Sequence, residues 1–112
     1  MNLLGIDFED WYHPTLIQKF VQDEKHKPSM FKGLDKILEM LRKNDSLATF
    51  FVVGELLETH PEIFDKIIEN QHEIAFHTMY HTKIDSLDFK ENFLSEIEKF
   101  SLLTNKKSKG FR

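Results

Sequence analysis

A chain of 112 residues with 19 acidic and 15 basic side chains carries a net charge of −4, which argues against nucleic acid or an anionic membrane as its main partner. Cysteine is absent, so disulfides and thiolate ligands are excluded, and any metal must be held by His, Asp or Glu. No stretch approaches the roughly 20 apolar residues of a membrane span, and the acids beginning at Asp7 do not read as a secretory leader, so a single cytoplasmic domain is expected.

Residues 3–8 form a short apolar run, uncharged until Asp7, that reads as a buried strand ending where Glu9 and Asp10 begin. Residues 9–29 are irregular and polar, broken by Pro14 and Pro28, with a helical turn expected over 15–21. In residues 30–43 the apolar positions Leu34, Ile37, Leu38 and Leu41 recur at helical spacing, and Ser29 is placed to cap them. A turn at Asn44-Asp45-Ser46 leads into residues 48–53, β-branched, aromatic and too short for a helix: a second buried strand, ended by Gly54. Leu56 and Leu57, then Ile63, Phe64, Ile67 and Ile68, form helical stripes, with Pro61 at a first-turn position. Residues 73–76 form a third strand. Asp88-Phe89-Lys90-Glu91 resembles a capping box, and the helix it opens is expected to bury Phe93, Leu94, Ile97 and Phe100 before stopping near Asn105.

Strands alternating with helices imply right-handed crossovers and a parallel sheet, whose functional groups gather at the carboxyl ends of the strands. Asp7, Glu9 and Asp10 follow the first strand; His77 and His81 follow the third. Two imidazoles four residues apart lie on one face of a helical turn and can converge on one ion, with a carboxylate from a distant strand completing the set. The pattern is that of a mononuclear metal site with a carboxylate base beside it. Taken alone, the acids also fit a solvated strand end. His72 reads as a loop anchor, and His13 either packs or lines a sugar site.

The motifs together resemble the polysaccharide deacetylase family, the fourth carbohydrate esterase family. Gly5-Ile6-Asp7-Phe8-Glu9-Asp10-Trp11 is similar to its first motif in an Asp-x-Glu-Asp variant. Ala48-Thr49-Phe50-Phe51-Val52-Val53-Gly54 is similar to its second strand, and His77-Thr78-Met79-Tyr80-His81 to its His-[Ser/Thr]-x-x-His motif. Lys109-Gly110-Phe111-Arg112 resembles the start of its third.

The resemblance implies an α/β fold whose parallel βα units form the N-terminal half of a deacetylase-type barrel, with residues 1–112 as one partial domain truncated at the third motif. It implies that Asp7 is the general base, that His77 and His81 are metal ligands, and that Arg112 orients Asp7 and keeps it ionised. The third ligand is Asp10 or Glu9, Asp10 being preferred; strand alternation would put Glu9 on the side of Asp7. A divalent ion, zinc in first place, and an N-acetylated carbohydrate are the implied cofactor and substrate, with Trp11 and Tyr80 as candidates to stack on the sugar. The family's general acid lies in a later motif, so these residues alone are expected to be an incomplete enzyme that self-associates through an open sheet edge. Two other readings stand beside this one: a hydrolase of a non-sugar C–N bond on the same scaffold, and a non-catalytic fragment that binds metal or carbohydrate.

Overall fold

The computed structural model describes residues 3–10, 12–14, 17, 29–83, 85 and 88–112. The turn expected over 15–21, Ile17 apart, lies outside them, as does Trp11. Among the described residues the order is β1 (Gly5–Phe8), α1 (Met30–Lys43), β2 (Thr49–Val52), α2 (Gly54–Thr59), α3 (Glu62–Glu69), β3 (Glu73–Phe76) and α4 (Phe89–Leu103). The strands form one parallel sheet in the order β1-β2-β3. Residues 109–112 begin a fourth parallel position beside β3: Phe76 N–H donates to the Gly110 carbonyl at 2.7 Å, and Arg112 N–H to the Phe76 carbonyl at 3.1 Å. No helix among the described residues is long and apolar enough to cross a membrane.

Residue parity decides which way each side chain faces. The register aligns Ile6 with Phe50 and Ile74, and Phe8 with Val52 and Phe76. These even-numbered positions meet the helices, and Phe50, Val52 and Ile74 are essentially solvent-free. Each such side chain contributes about 1.5–3 kcal/mol by burial. Leu34, Leu38 and Leu41 of α1 and Ile63 and Ile67 of α3 cover them. Phe76 is the hub of an aromatic group, with ring centroids 5.8, 5.0 and 5.9 Å from those of Phe93, Phe100 and Phe111.

Three local expectations are corrected. Ser29 makes no side-chain cap on α1, and Asp88 none on α4. Leu94 and Ile97 are not buried: α4 turns the 93–100 stripe onto Phe76, and Leu94 and Ile97 lie on a neighbouring stripe that meets solvent. His72, by contrast, is an anchor. Its Nδ1 accepts the Ala48 N–H at 3.3 Å, and burial lowers its pKa, which keeps the ring a neutral acceptor.

Candidate metal centre

Parity also builds the site. Asp7 is aligned with Phe51 and Ala75 on the sheet face turned away from the helices. Continued past the strand ends, the alternation carries Glu9 and His77 to that same side, and Phe8 and Asp10 to the helical side. Glu9 Oε2 lies 2.9 Å from His81 Nε2 and 4.0 Å from His77 Nε2. One donor atom from each of the three residues falls within a common 4.8 Å. The imidazole centroids are 5.3 Å apart, with the rings nearly perpendicular. A cavity of about 250 Å³ opens beside them, lined by His77, Thr78, His81, Lys83, Phe111 and Arg112.

Two features fix the chemistry of this triad. His77 Nδ1 lies 2.6 Å from the main-chain oxygen of Arg112. That oxygen can only accept, so Nδ1 carries the proton and Nε2 turns its lone pair toward Glu9, the orientation of a metal-ligating imidazole. Glu9 Oε2 is buried and receives no hydrogen bond. Its approach to His81 is close but makes no hydrogen bond, so the oxygen is unsatisfied. A buried carboxylate oxygen without a donor is costly, and a cation between it and two ring lone pairs would satisfy all three. The donor set of one carboxylate and two imidazoles suits a borderline divalent ion.

The histidine spacing is not helical, contrary to the sequence expectation. Thr78 and His81 adopt positive φ of 59° and 54°, so the chain loops between the two histidines. A β-branched residue in that region is strained, by roughly 1–3 kcal/mol. Packing holds it there. Gly54 N–H and Glu55 N–H donate to the carbonyls of Thr78 and Met79, both at 2.9 Å, and Met79 N–H donates to Glu96 Oε2 at 3.2 Å. The Met79 side chain is fully buried against Gly54.

Asp10, the preferred third ligand, is not brought to the imidazoles. Its carboxylate turns to the helical side and accepts hydrogen bonds from Ser29 N–H at 2.7 Å, Ser29 Oγ at 3.1 Å and Met30 N–H at 3.3 Å. It caps α1 from a distance, which is why Ser29 does not, and Glu9 rather than Asp10 faces the imidazoles. Asp7 lies outside the converged triad, and Arg112 Nε is 3.5 Å from its Oδ1. The guanidinium reaches Asp7 across the Phe51 ring, 5.7 Å from its centroid. Gly5 leaves it room: a Cβ there would sit 3.2 Å from Arg112 Nη1. Tyr80 is not among the residues lining the cavity. Its hydroxyl faces Glu58 of α2 and Lys99 of α4, because the left-handed turn at Thr78 sends Met79 into the core and Tyr80 outward.

Two residues at this site have a role the sequence did not disclose. His13 is 2% exposed; its Nδ1 accepts the Asp10 N–H at 2.8 Å and its Nε2 lies 3.0 Å from Glu55 Oε2. Tyr12 lies against the same ring, with centroids 4.4 Å apart and the planes tilted by 41°. Burial, together with Asp10 and Glu55, pushes the Tyr12 hydroxyl up to about 12, so it stays neutral. A histidine next to the acidic motif is the one sequence sign of this network.

A family model for polysaccharide deacetylases matches residues 28–112. A chitooligosaccharide deacetylase of Rhizobium leguminosarum bv. phaseoli is 32% identical over 76 residues, which cover 59% of this chain and 33% of that protein. The chain thus spans about a third of that relative's length. Among solved structures, a peptidoglycan N-acetylglucosamine deacetylase superposes with a TM-score of 0.65 at 24% identity, covering 95% of this chain and 40% of that one. An allantoinase superposes with a TM-score of 0.65 at 17% identity, covering 97% and 44%. These likenesses establish the deacetylase-type α/β fold.

Proposed function

This chain belongs to the polysaccharide deacetylase family, and we propose that Glu9, His77 and His81 hold a divalent ion, zinc, for hydrolysis of the N-acetyl group of a carbohydrate. The observation that carries this reading is the buried Glu9 oxygen, left without a hydrogen bond and facing two ring nitrogens. When bound, such an ion supplies Lewis acidity, which acidifies water and polarises an amide carbonyl.

The chain's own residues supply the rest. Asp7 is the base: its carboxylate sits at the end of β1 on the open face and takes the proton of the attacking water. Arg112, its Nε 3.5 Å from Asp7 Oδ1, orients that carboxylate. His77 is held in its ligating tautomer by the Arg112 main chain. The water oxygen bonds to the acetyl carbon, the C–N bond then breaks as the nitrogen takes up a proton in place of the one Asp7 removed from water, and acetic acid and the amine leave. The aromatic Phe111 and the side chains of Lys83 and Thr78 shape the cavity in which the acetyl group would sit.

Acetate release from an acetylated chitooligosaccharide, by the zinc-loaded chain completed with the family's later motifs, tests the reading, with a small cyclic amide as the competing substrate. Asp7→Asn should lower the rate on the order of 10²-fold or more while metal content is unchanged, since Asp7 acts on water rather than on the ion. An Asp7→Asn protein that turns over normally, or that loses its zinc, would refute the assignment. Turnover of the cyclic amide alone would favour the non-sugar substrate class. Zinc bound without turnover of either would leave binding as the activity.

The same reading includes association with a second copy through the outer edge of β1. That strand pairs only with β2 among the described residues, and Leu3, Leu4 and Leu47 beside it are exposed. Light scattering is expected to give a mass above that of one chain; a monodisperse monomer at all concentrations would count against it.

A further inference from the structure

The three proposed ligands come from two separate loops, one after β1 and one after β3. The end of β2 aligns the start of each loop, Val53 N–H donating to the Phe8 carbonyl and His77 N–H to the Val52 carbonyl, both at 3.1 Å, and the residues beyond those two points need a further tie. Glu55, the second residue of α2, touches both. Its N–H donates to the Met79 carbonyl, between the two histidines. Its carboxylate lies 3.0 Å from Nε2 of the buried His13. His13 in turn accepts the Asp10 N–H through Nδ1, and its own N–H donates to the Asp10 carbonyl at 3.0 Å. Because Nδ1 accepts, Nε2 carries the ring proton and donates it to Glu55. Asp10 is thereby clamped on both sides of its main chain, directly beside Glu9.

We propose that His13 and Glu55 are a positioning pair that ties the acid loop to the histidine loop and so sets Glu9 against His77 and His81. Neither touches the ion or the substrate; both act through the backbone next to the ligands. The inference rests on the triad being the metal site, and it specifies what aligns that triad. The arrangement resembles an outer-shell hydrogen bond to a ligand, whose loss typically weakens metal binding 10- to 100-fold. Here the second shell holds the main chain instead of the ligand side chain.

The test uses the full chain with two readouts: zinc affinity by calorimetry, and hydrogen exchange at the Asp10 amide. His13→Gln removes the acceptor at the Nδ1 position. It is expected to speed exchange at Asp10 and to weaken zinc binding on the order of 10- to 100-fold. His13→Asn places an amide oxygen near that position; it should restore protection at Asp10 and recover part of the affinity. Glu55→Leu keeps the backbone bond to Met79, loses the bond to His13, and should weaken zinc similarly. It is a partly exposed position, so it also serves where a His13 variant fails to fold. Unchanged exchange at Asp10 in His13→Gln, or zinc affinity within about twofold of the parent in both His13→Gln and Glu55→Leu, would overturn the proposal. If the parent chain binds no zinc, the triad reading itself fails, whereas the exchange measurement still judges the His13 link.

Discussion

Replacing His77 and His81 together by alanine is expected to strip the protein of zinc. Two of the three ligands go, and a lone Glu9 carboxylate cannot retain a borderline ion against water. The fold should survive, because both rings lie at the margin of the core and the loop is held by its main chain and by Met79. Elemental analysis of the purified parent and the double variant is the measurement, with thermal melting alongside. Equal metal content in the two would remove the metal-centre assignment altogether. The single variants are informative as well. His77→Ala also breaks the bond to the Arg112 main chain, so it should loosen residues 109–112, an effect that His81→Ala lacks.

Gly54→Ala is expected to be the most damaging single-methyl change in the chain. A Cβ at position 54 would lie 2.1 Å from Met79 Sδ and 3.2 Å from Phe100 Cδ2. Met79 has no exposed surface, so the end of its side chain must repack within the core to admit the methyl. Overpacking of this kind costs about 1–3 kcal/mol, which for a domain this small lowers Tm by roughly 4–8 °C per kcal/mol. The loss should extend to zinc affinity, because Met79 pins the loop between the two histidines. Calorimetric melting and zinc titration of Gly54→Ala, compared with Gly54→Ala combined with Met79→Ala, check both parts. The second truncation makes room for the methyl, so the double variant should unfold no earlier than Met79→Ala alone. A single variant that melts like the parent would mean that Met79 finds another berth.

The period-two and helical patterns of the sequence carried most of the fold. Ile6, Phe50 and Ile74 lie where alternation places them, and Leu34, Leu38 and Leu41 where a helical stripe does. The family was legible from ordered motifs at the ends of strands. The choice between Glu9 and Asp10 was open because it depends on whether the chain stays extended after Phe8 or turns. Alternation past Phe8 brings Glu9 beside the imidazoles, and the distant partners Ser29 and Met30 claim Asp10. The four-residue histidine spacing suggested a helix because spacing carries no sign of φ. The left-handed residues Thr78 and His81 are imposed by tertiary contacts with Gly54, Glu55 and Glu96, none of them local. Leu94 and Ile97 misled for a related reason: an apolar stripe marks a face that could be buried, and α4 presents Phe93 and Phe100 instead.

The alternation of side chains along β1 and β3 has a consequence for how such a site can change over generations. Asp7, Glu9 and His77, the proposed base and ligands, fall on odd positions, and the helix-facing anchors on even ones. Point substitutions can exchange one acid for another without disturbing this order. A single inserted or deleted residue between Gly5 and Glu9, or between Glu73 and His77, would exchange the two tracks, bringing a core residue to the ion and a ligand to the core. Those two short stretches are therefore frozen in length as well as in the kind of residue that each track carries. The turn from α1 into β2, bounded by elements that fold on their own pattern, can lengthen or shorten without touching the chemistry.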